Sequence, residues 1–288
     1  MALGRLRKAA SGGKPLKEVA HVFRRSWLAA CVMSAVVAVG ASAAENSKPD
    51  VIAFGTLKAV PAATVRAQAL EWLTASGKTD DATRKQFDAI WAKTDSALLD
   101  KIADTLSLDK TAAAILKDAA DITKSVPKQV PAALKDTKQN SFFRANLALL
   151  FAKSISSRRV YEEALEALKT VRPEHVADPS AYFFHKAVAA HALMKKDEAA
   201  QSIIRLLDDV ADAPDRYKMV GTLMFFDMQS WKADEKDLSN IAKLMDNSGR
   251  RLDLARGGKI TQDIQKKIVF RLDEVIKEIE NQAKSGGV

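Results

Sequence analysis

Tyr161-Glu162-Glu163-Ala164-Leu165 and Lys196-Asp197-Glu198-Ala199-Ala200 are two versions of one pattern, and they decide the fold. They align at an offset of 35 residues, which sets Ala164 on Ala199. Twelve residues upstream the same offset pairs Ala152 with Ala187, and four residues downstream it pairs Leu168 with Ile203. A helix returns to one face every three or four residues, so each copy reads as a helix–turn–helix hairpin. The alanines let the paired helices approach closely. Leu168 and Ile203, one turn later, fill the gap to the next helix. The spacing predicts helices over 141–156 and 159–171, then over 180–194 and 197–211.

A recurrence of this length with this order of small and large residues is what a tetratricopeptide-type (TPR-like) repeat requires. The tryptophan, glycine and tyrosine of the usual first-helix pattern are missing, so an irregular helical bundle is the alternative. Downstream, further helices are predicted at 213–229, 234–254 and 261–282. In the last, Ile268, Leu272, Val275 and Ile279 form a heptad-like stripe. Its early Lys266 and Lys267 and late Glu278 and Glu280 oppose the helix dipole, so the helix needs packing, within the chain or on another subunit. Residues 284–288 are expected to be a flexible tail.

Upstream, Pro127 and Pro131 interrupt residues 123–140, which read as a connector and the best domain boundary. Residues 61–122 hold a compact bundle of short helices. Val65, Ala69, Leu70 and Leu73 share one face of the first, and Gly77 stops it. Asp80 or Asp81, Asp95 and Asp109 start the next three. Residues 45–60 read as a loosely docked tether. The fold class is all-α, with no stretch alternating apolar and polar residues as a sheet needs. In order it is an N-terminal helical bundle, a TPR-like stack over 141–283 and a long C-terminal helix.

With these residues quoted, the chain resembles a family of exported bacterial proteins built of degenerate TPR-like helices. Tyr161-Glu-Glu-Ala-Leu-Glu-Ala-Leu168 is similar to a repeat helix of that family. Residues 205–217 and 251–258 are similar to other stretches of it, and the resemblance covers most of 61–283. That family has no assigned activity. The resemblance therefore implies the fold and export, and carries over no functional residue.

Residues 1–44 read as a signal peptide. Arg24 and Arg25 precede an uncharged run from Ser26 to Ala44, and Ala41-Ser42-Ala43 is a small-x-small cleavage site. Ala43 or Ala44 is the expected last leader residue, with the mature chain periplasmic or extracellular. An uncleaved inner-membrane anchor is the alternative, although the second half of the run is weakly apolar. Arg24-Arg25-Ser26-Trp27-Leu28 also resembles a twin-arginine signal. Cys31 precedes most of the apolar run and is an ordinary leader residue.

The formal charge of +9 is mostly leader. Seven basic groups and Glu18 lie in 1–44, which leaves 38 basic and 35 acidic side chains, a net of +3. No electrostatic footprint for nucleic acid follows. The single cysteine falls in the leader, so the mature chain has neither a disulfide nor a cysteine metal site.

No motif for catalysis stands out. His185 and His191 are six apart on different faces of one helix, and no zinc-protease spacing occurs. Asp208, Asp209, Asp212 and Asp215 cluster without the spacing of a calcium loop and read as a solvated face. Arg250, Arg251, Arg256 and Lys259 surround Gly249, Gly257 and Gly258, but Asp253 and Ile260 break a phosphate-loop pattern. A basic turn touching an anionic surface is the functional reading of these arginines. Phe183, Phe184, Phe225, Phe226 and Trp231 are aromatic at helical spacing, which reads as core or groove.

No residue is assigned a catalytic, cofactor-binding or metal role, and no cofactor is expected. The leading expectation is a non-enzymatic exported scaffold or adaptor for a protein or peptide partner. The alternatives are an envelope-associated structural protein self-associating through its last helix, and a helical hydrolase acting on envelope polymer. Contact with a membrane is expected only through an uncleaved leader.

Overall fold

The computed structural model describes residues 55–231 and 237–286. Residues 1–54, which include the expected leader with its Ala43 and Ala44 and the first part of the expected tether, lie outside the described residues. The regular structure described is all-helical, with twelve α-helices and one 3-10 turn, Pro173–His175. No described helix is long and apolar enough to cross a membrane.

Four short helices open the fold: α1 (Ala62–Ala75), α2 (Asp81–Ala92), α3 (Leu98–Leu106) and α4 (Lys110–Ala120). Their starts follow from capping chemistry. The Asp80 carboxylate accepts from Thr83 N at 2.9 Å, and Asp109 accepts from Thr111 N and Ala112 N, both at 2.9 Å. A carboxylate there satisfies first-turn N–H groups and meets the positive end of the dipole. Gly77, at φ +71°, supplies the left-handed residue beyond α1. The third start differs from expectation, because α3 begins after Ala97 and no side chain caps it.

The hairpins come next: α6 (Ser141–Ser157) with α7 (Tyr161–Lys169), and α8 (Pro179–Ala192) with α9 (Lys196–Asp208), while α5 (Ala132–Lys135) is one turn in the connector. Ala152, Ala164, Leu168, Ala187, Ala199 and Ile203 are all at 0% exposure. The two turns are alike in geometry. Arg159 and Met194, 35 residues apart, have φ of 61° and 58°. Each is followed by the same closing bond, Val160 N to Ile155 O at 3.0 Å and Lys195 N to Ala190 O at 2.9 Å. That six-to-one bond satisfies a carbonyl the helix end would otherwise orphan.

The central element is α6, with 12 of its 17 residues buried, so it cannot lie at a surface. On one side it packs against α1, α3 and α4, and on the other against α7 and α8. Trp72 of α1 stacks on Phe143 of α6 with centroids 5.0 Å apart. Its buried Asn146 is satisfied, donating to Phe142 O and accepting from Ala177 N. One core therefore runs from Val65 to Trp231.

That continuity moves the expected boundary. Residues 123–140 do not separate two packed units: Val130 and Leu134 are buried in the shared core, and the described residues belong to one compact unit. Arg158 reaches back to the carbonyls of Asp118 at 3.2 Å and Lys124 at 2.5 Å. The prolines shape the connector without loosening it.

The described part of the tether is also firmly held. Gly55 N and Leu57 N donate to Asp208 O and Asp209 O at 2.8 and 2.9 Å, and Ala211 N returns a bond to Leu57 O. Ala59 N donates to the Asp212 carboxylate. Two of the clustered aspartates thus act through their carbonyls, and a third caps the incoming strand-like segment.

Last come α10 (Asp215–Gln229), lying on α8 and α9, and a third hairpin, α11 (Leu238–Asp253) with α12 (Lys259–Ser285). Its turn repeats the left-handed residue, at Ala255, and the closing bond from Arg256 N to Arg251 O. Polar anchors hold this hairpin to the body. Arg250 donates to both Glu162 oxygens at 3.0 and 2.7 Å and to Arg159 O, and Arg251 also pairs with Glu162. Arg256 donates to Glu163 at 3.0 Å and to Pro127 O at 2.7 Å.

Candidate functional site

The arginines that suggested an outward basic turn point inward. Arg250 and Arg251 are only 4% and 8% exposed, and their charges are met by Glu162. Burial alone would raise the Glu162 pKa, but hydrogen bonds from Arg250 and the charges of Arg250 and Arg251 outweigh it and hold the carboxyl below its usual value. The group is structural, and no anionic partner is needed to explain it.

The aromatic residues divide in the same way. Phe183 and Trp231 are core, Phe184 stacks on Tyr217 at 4.1 Å, and Phe226 is exposed, so they line no common groove. His191 bonds to Asp227 at 2.8 Å, and the Trp231 indole donates to the same oxygen at 2.9 Å. Hydrogen bonding from His191 and Trp231 overrides the opposing effect of burial and keeps the Asp227 carboxyl below its usual range. This cluster ties α8 to α10. Among the described residues no group of three potential ligands could hold a metal.

His185 leads elsewhere. It lies with Phe184 and Val188 on one wall of a cleft of about 600 Å³ between α8, α6 and the α3–α4 pair. Leu150 and Leu116 supply the apolar lining. The space exists because Ala103, Ala120, Ser154 and Ser157 are too small to close it. Volumes of this size suit a drug-sized ligand or a few side chains.

Three polar groups mark the cleft. Ser156 is 9% exposed, and its hydroxyl, buried behind the wall, has no hydrogen-bond partner, an arrangement that costs free energy in the fold. Burial first, and then the charges of Lys153 and Arg216, push the His185 pKa down to about 4. The ring is therefore neutral at pH 7 and offers one donor and one acceptor. Lys153 is an exposed cation among the lining residues.

No protein-family model, curated protein or solved structure matches the chain. The site must be read from its own residues.

Serine and histidine together invite a nucleophile–base reading, which needs an orienting acid behind the imidazole. Asp178, the acid acting on His185, caps α8 instead, accepting from Ala181 N at 2.9 Å and Ser180 Oγ at 2.5 Å. The arrangement suits holding an apolar group with one or two hydrogen bonds at its end. A second hollow of about 620 Å³ between α7 and the third hairpin has an apolar floor of Leu165, Leu244 and Ile264, but Glu166, Lys169 and Lys267 also line it.

His185 stands out in the sequence, but the cleft does not. Its walls are contributed by residues more than 80 positions apart, from Ala103 to Val188. The only local sign was the run of small residues, Ser154, Ser156 and Ser157, on a helix otherwise filled with large apolar ones.

Proposed function

We propose that this chain is an exported, non-enzymatic, TPR-like adaptor that holds an apolar segment of a protein or peptide partner in the cleft between α3–α4 and α6–α8. The observation that carries the reading is the cleft itself, apolar in its walls, with the neutral His185 and the exposed Lys153 among its lining residues. The His185 ring would bond a backbone amide or carbonyl of an extended peptide, while a Leu- or Phe-sized side chain would fill the volume. Neither a cofactor nor nucleic acid has a role in this reading. The leader supports placement outside the cytoplasm, with the mature chain starting at Ala44 or Glu45.

Selection of displayed random peptides on the purified chain tests the binding half. Enriched sequences should carry a large apolar residue and should lose at least about tenfold in affinity for Ala120→Trp, which fills the cleft from an exposed position. No enrichment, or binding indifferent to Ala120→Trp, would overturn it. Intact-mass measurement on an envelope fraction tests export, and a soluble cytosolic form still beginning at Met1 would sink that half.

A further inference from the structure

We propose that α12 pairs antiparallel with the α12 of a second copy of this chain. Of its 27 residues only Thr261 and Ile268 are buried, and its one extensive helix contact is with α11. At 1.5 Å per residue α12 is about 40 Å long and the 16-residue α11 about 24 Å, so the end of α12 runs on beyond its neighbour. Ile268 is buried and Val275 half-buried. A second line of apolar residues, Val269, Leu272, Ile276, Ile279 and Ala283, follows a three–four spacing along the adjoining face. Val269, Ile276 and Ile279 on it are 59%, 52% and 60% exposed. That spacing is a coiled-coil seam.

Charge names the occupant. Residues 259–272 of α12 hold four basic groups and one acid, Asp263, whereas 273–285 hold four acids and two lysines, Lys277 and Lys284, a net order unfavourable to an isolated helix dipole. A second α12 running the opposite way answers both problems, because its dipole and its charge order are reversed. With the two-fold axis at Asp273, Lys266 of each copy faces Glu280 of the other. Glu280 directly follows the seam residue Ile279, and Lys266 follows Gln265, the position that the same spacing gives before Val269, as flanking pairs in antiparallel coils do. The same register sets Asp273 against its own copy, a like-charge contact that Asp273→Asn would relieve.

Sedimentation equilibrium of residues 45–288 tests this. A salt-sensitive dimer is expected. Ile276→Glu with Ile279→Glu should raise Kd by at least about a hundredfold with an unchanged circular dichroism spectrum, because both side chains are exposed. Lys266→Glu or Glu280→Lys alone should each weaken pairing about tenfold, the two together should restore it, and Asp273→Asn should tighten it. A wild-type monomer at about 200 µM, well above the micromolar Kd of a modest interface, overturns the proposal. So does a dimer indifferent to the seam variants, or a charge swap that fails to rescue. A monomer whose seam binds anionic phospholipid vesicles would instead assign the face to a lipid surface, and overturn it equally.

Discussion

Replacing Glu162 by alanine should release the third hairpin from the body. The carboxylate is met by Arg250, by Arg251 and, at 3.4 Å, by Arg256. Its side chain is 25% exposed, while those of Arg250 and Arg251 are 4% and 10% exposed. Removing one partner of a buried ion pair costs about 3–5 kcal/mol when the remaining charge is left alone. Here each arginine keeps something. Arg250 retains Arg159 O and Asn247, Arg251 retains Thr261, and Arg256 retains Glu163 and Pro127 O. The expected loss is therefore smaller, about 2–4 kcal/mol.

The loss should also be localised. Because α11 and α12 pack chiefly on each other, hydrogen exchange should speed up in 238–285 while the α6–α9 hairpins keep their protection. The pH dependence has a definite sign. The folded carboxyl titrates below its ordinary value of 4.5, so the unfolded chain binds the proton first as pH falls. The contribution of Glu162 is complete above about pH 4.5 and drains away below it, as the folded pKa is passed. Urea melts and exchange mass spectrometry of Glu162→Ala decide the matter. A midpoint within about 0.5 kcal/mol of wild type, with protection of 238–285 intact, would refute the anchor.

Further outcomes are expected elsewhere. Ala199→Phe should cost about 1–3 kcal/mol by overpacking a helix crossing, and Gln201→Phe, on the exposed face of the same helix, about 0.5 or less. Equal shifts in denaturant midpoint would show that Ala199 is not at a close crossing. Leu134→Ala should cost about 2–5 kcal/mol and leave a single unfolding transition, whereas two separated transitions would restore a domain boundary in the connector. His185 is held neutral to about pH 4 against an ordinary 6.5, so stability should fall as pH drops through that window. His185→Gln should flatten the melting temperature between those values, and an unchanged acid slope would contradict its burial.

What could be read in the sequence was what acts over one or two helical turns. Asp80 and Asp109 announced their helices because a cap bonds residues two or three positions away. The alanines at 152, 164, 187 and 199 were legible because close packing recurs at helical spacing. Asp95 misled, since the same residue type caps a helix or simply faces water according to the backbone it meets. The arginines were misread for a different reason. Their partner, Glu162, lies 88 and 89 residues away, and no local pattern reports such a distance. The connector failed similarly: proline marks where a helix stops, while Leu134 and Val130 decide whether the stop is packed. The cleft was invisible because emptiness is a property of facing surfaces, and the sequence records only one side at a time.

The three hairpin joints have one more consequence. Arg159, Met194 and Ala255 occupy left-handed backbone where glycine would sit without strain, and none of the three side chains is glycine. A side chain there costs about 1–2 kcal/mol in local sterics, of which glycine would give back part through its looser unfolded chain. Each joint thus withholds up to about 1 kcal/mol, equivalent to roughly 2–4 °C in a domain of this size. The joints at Arg159 and Ala255 form an untapped reserve of heat resistance, open to substitution one at a time, whereas the Met194 side chain packs against the core and glycine there would offset its gain.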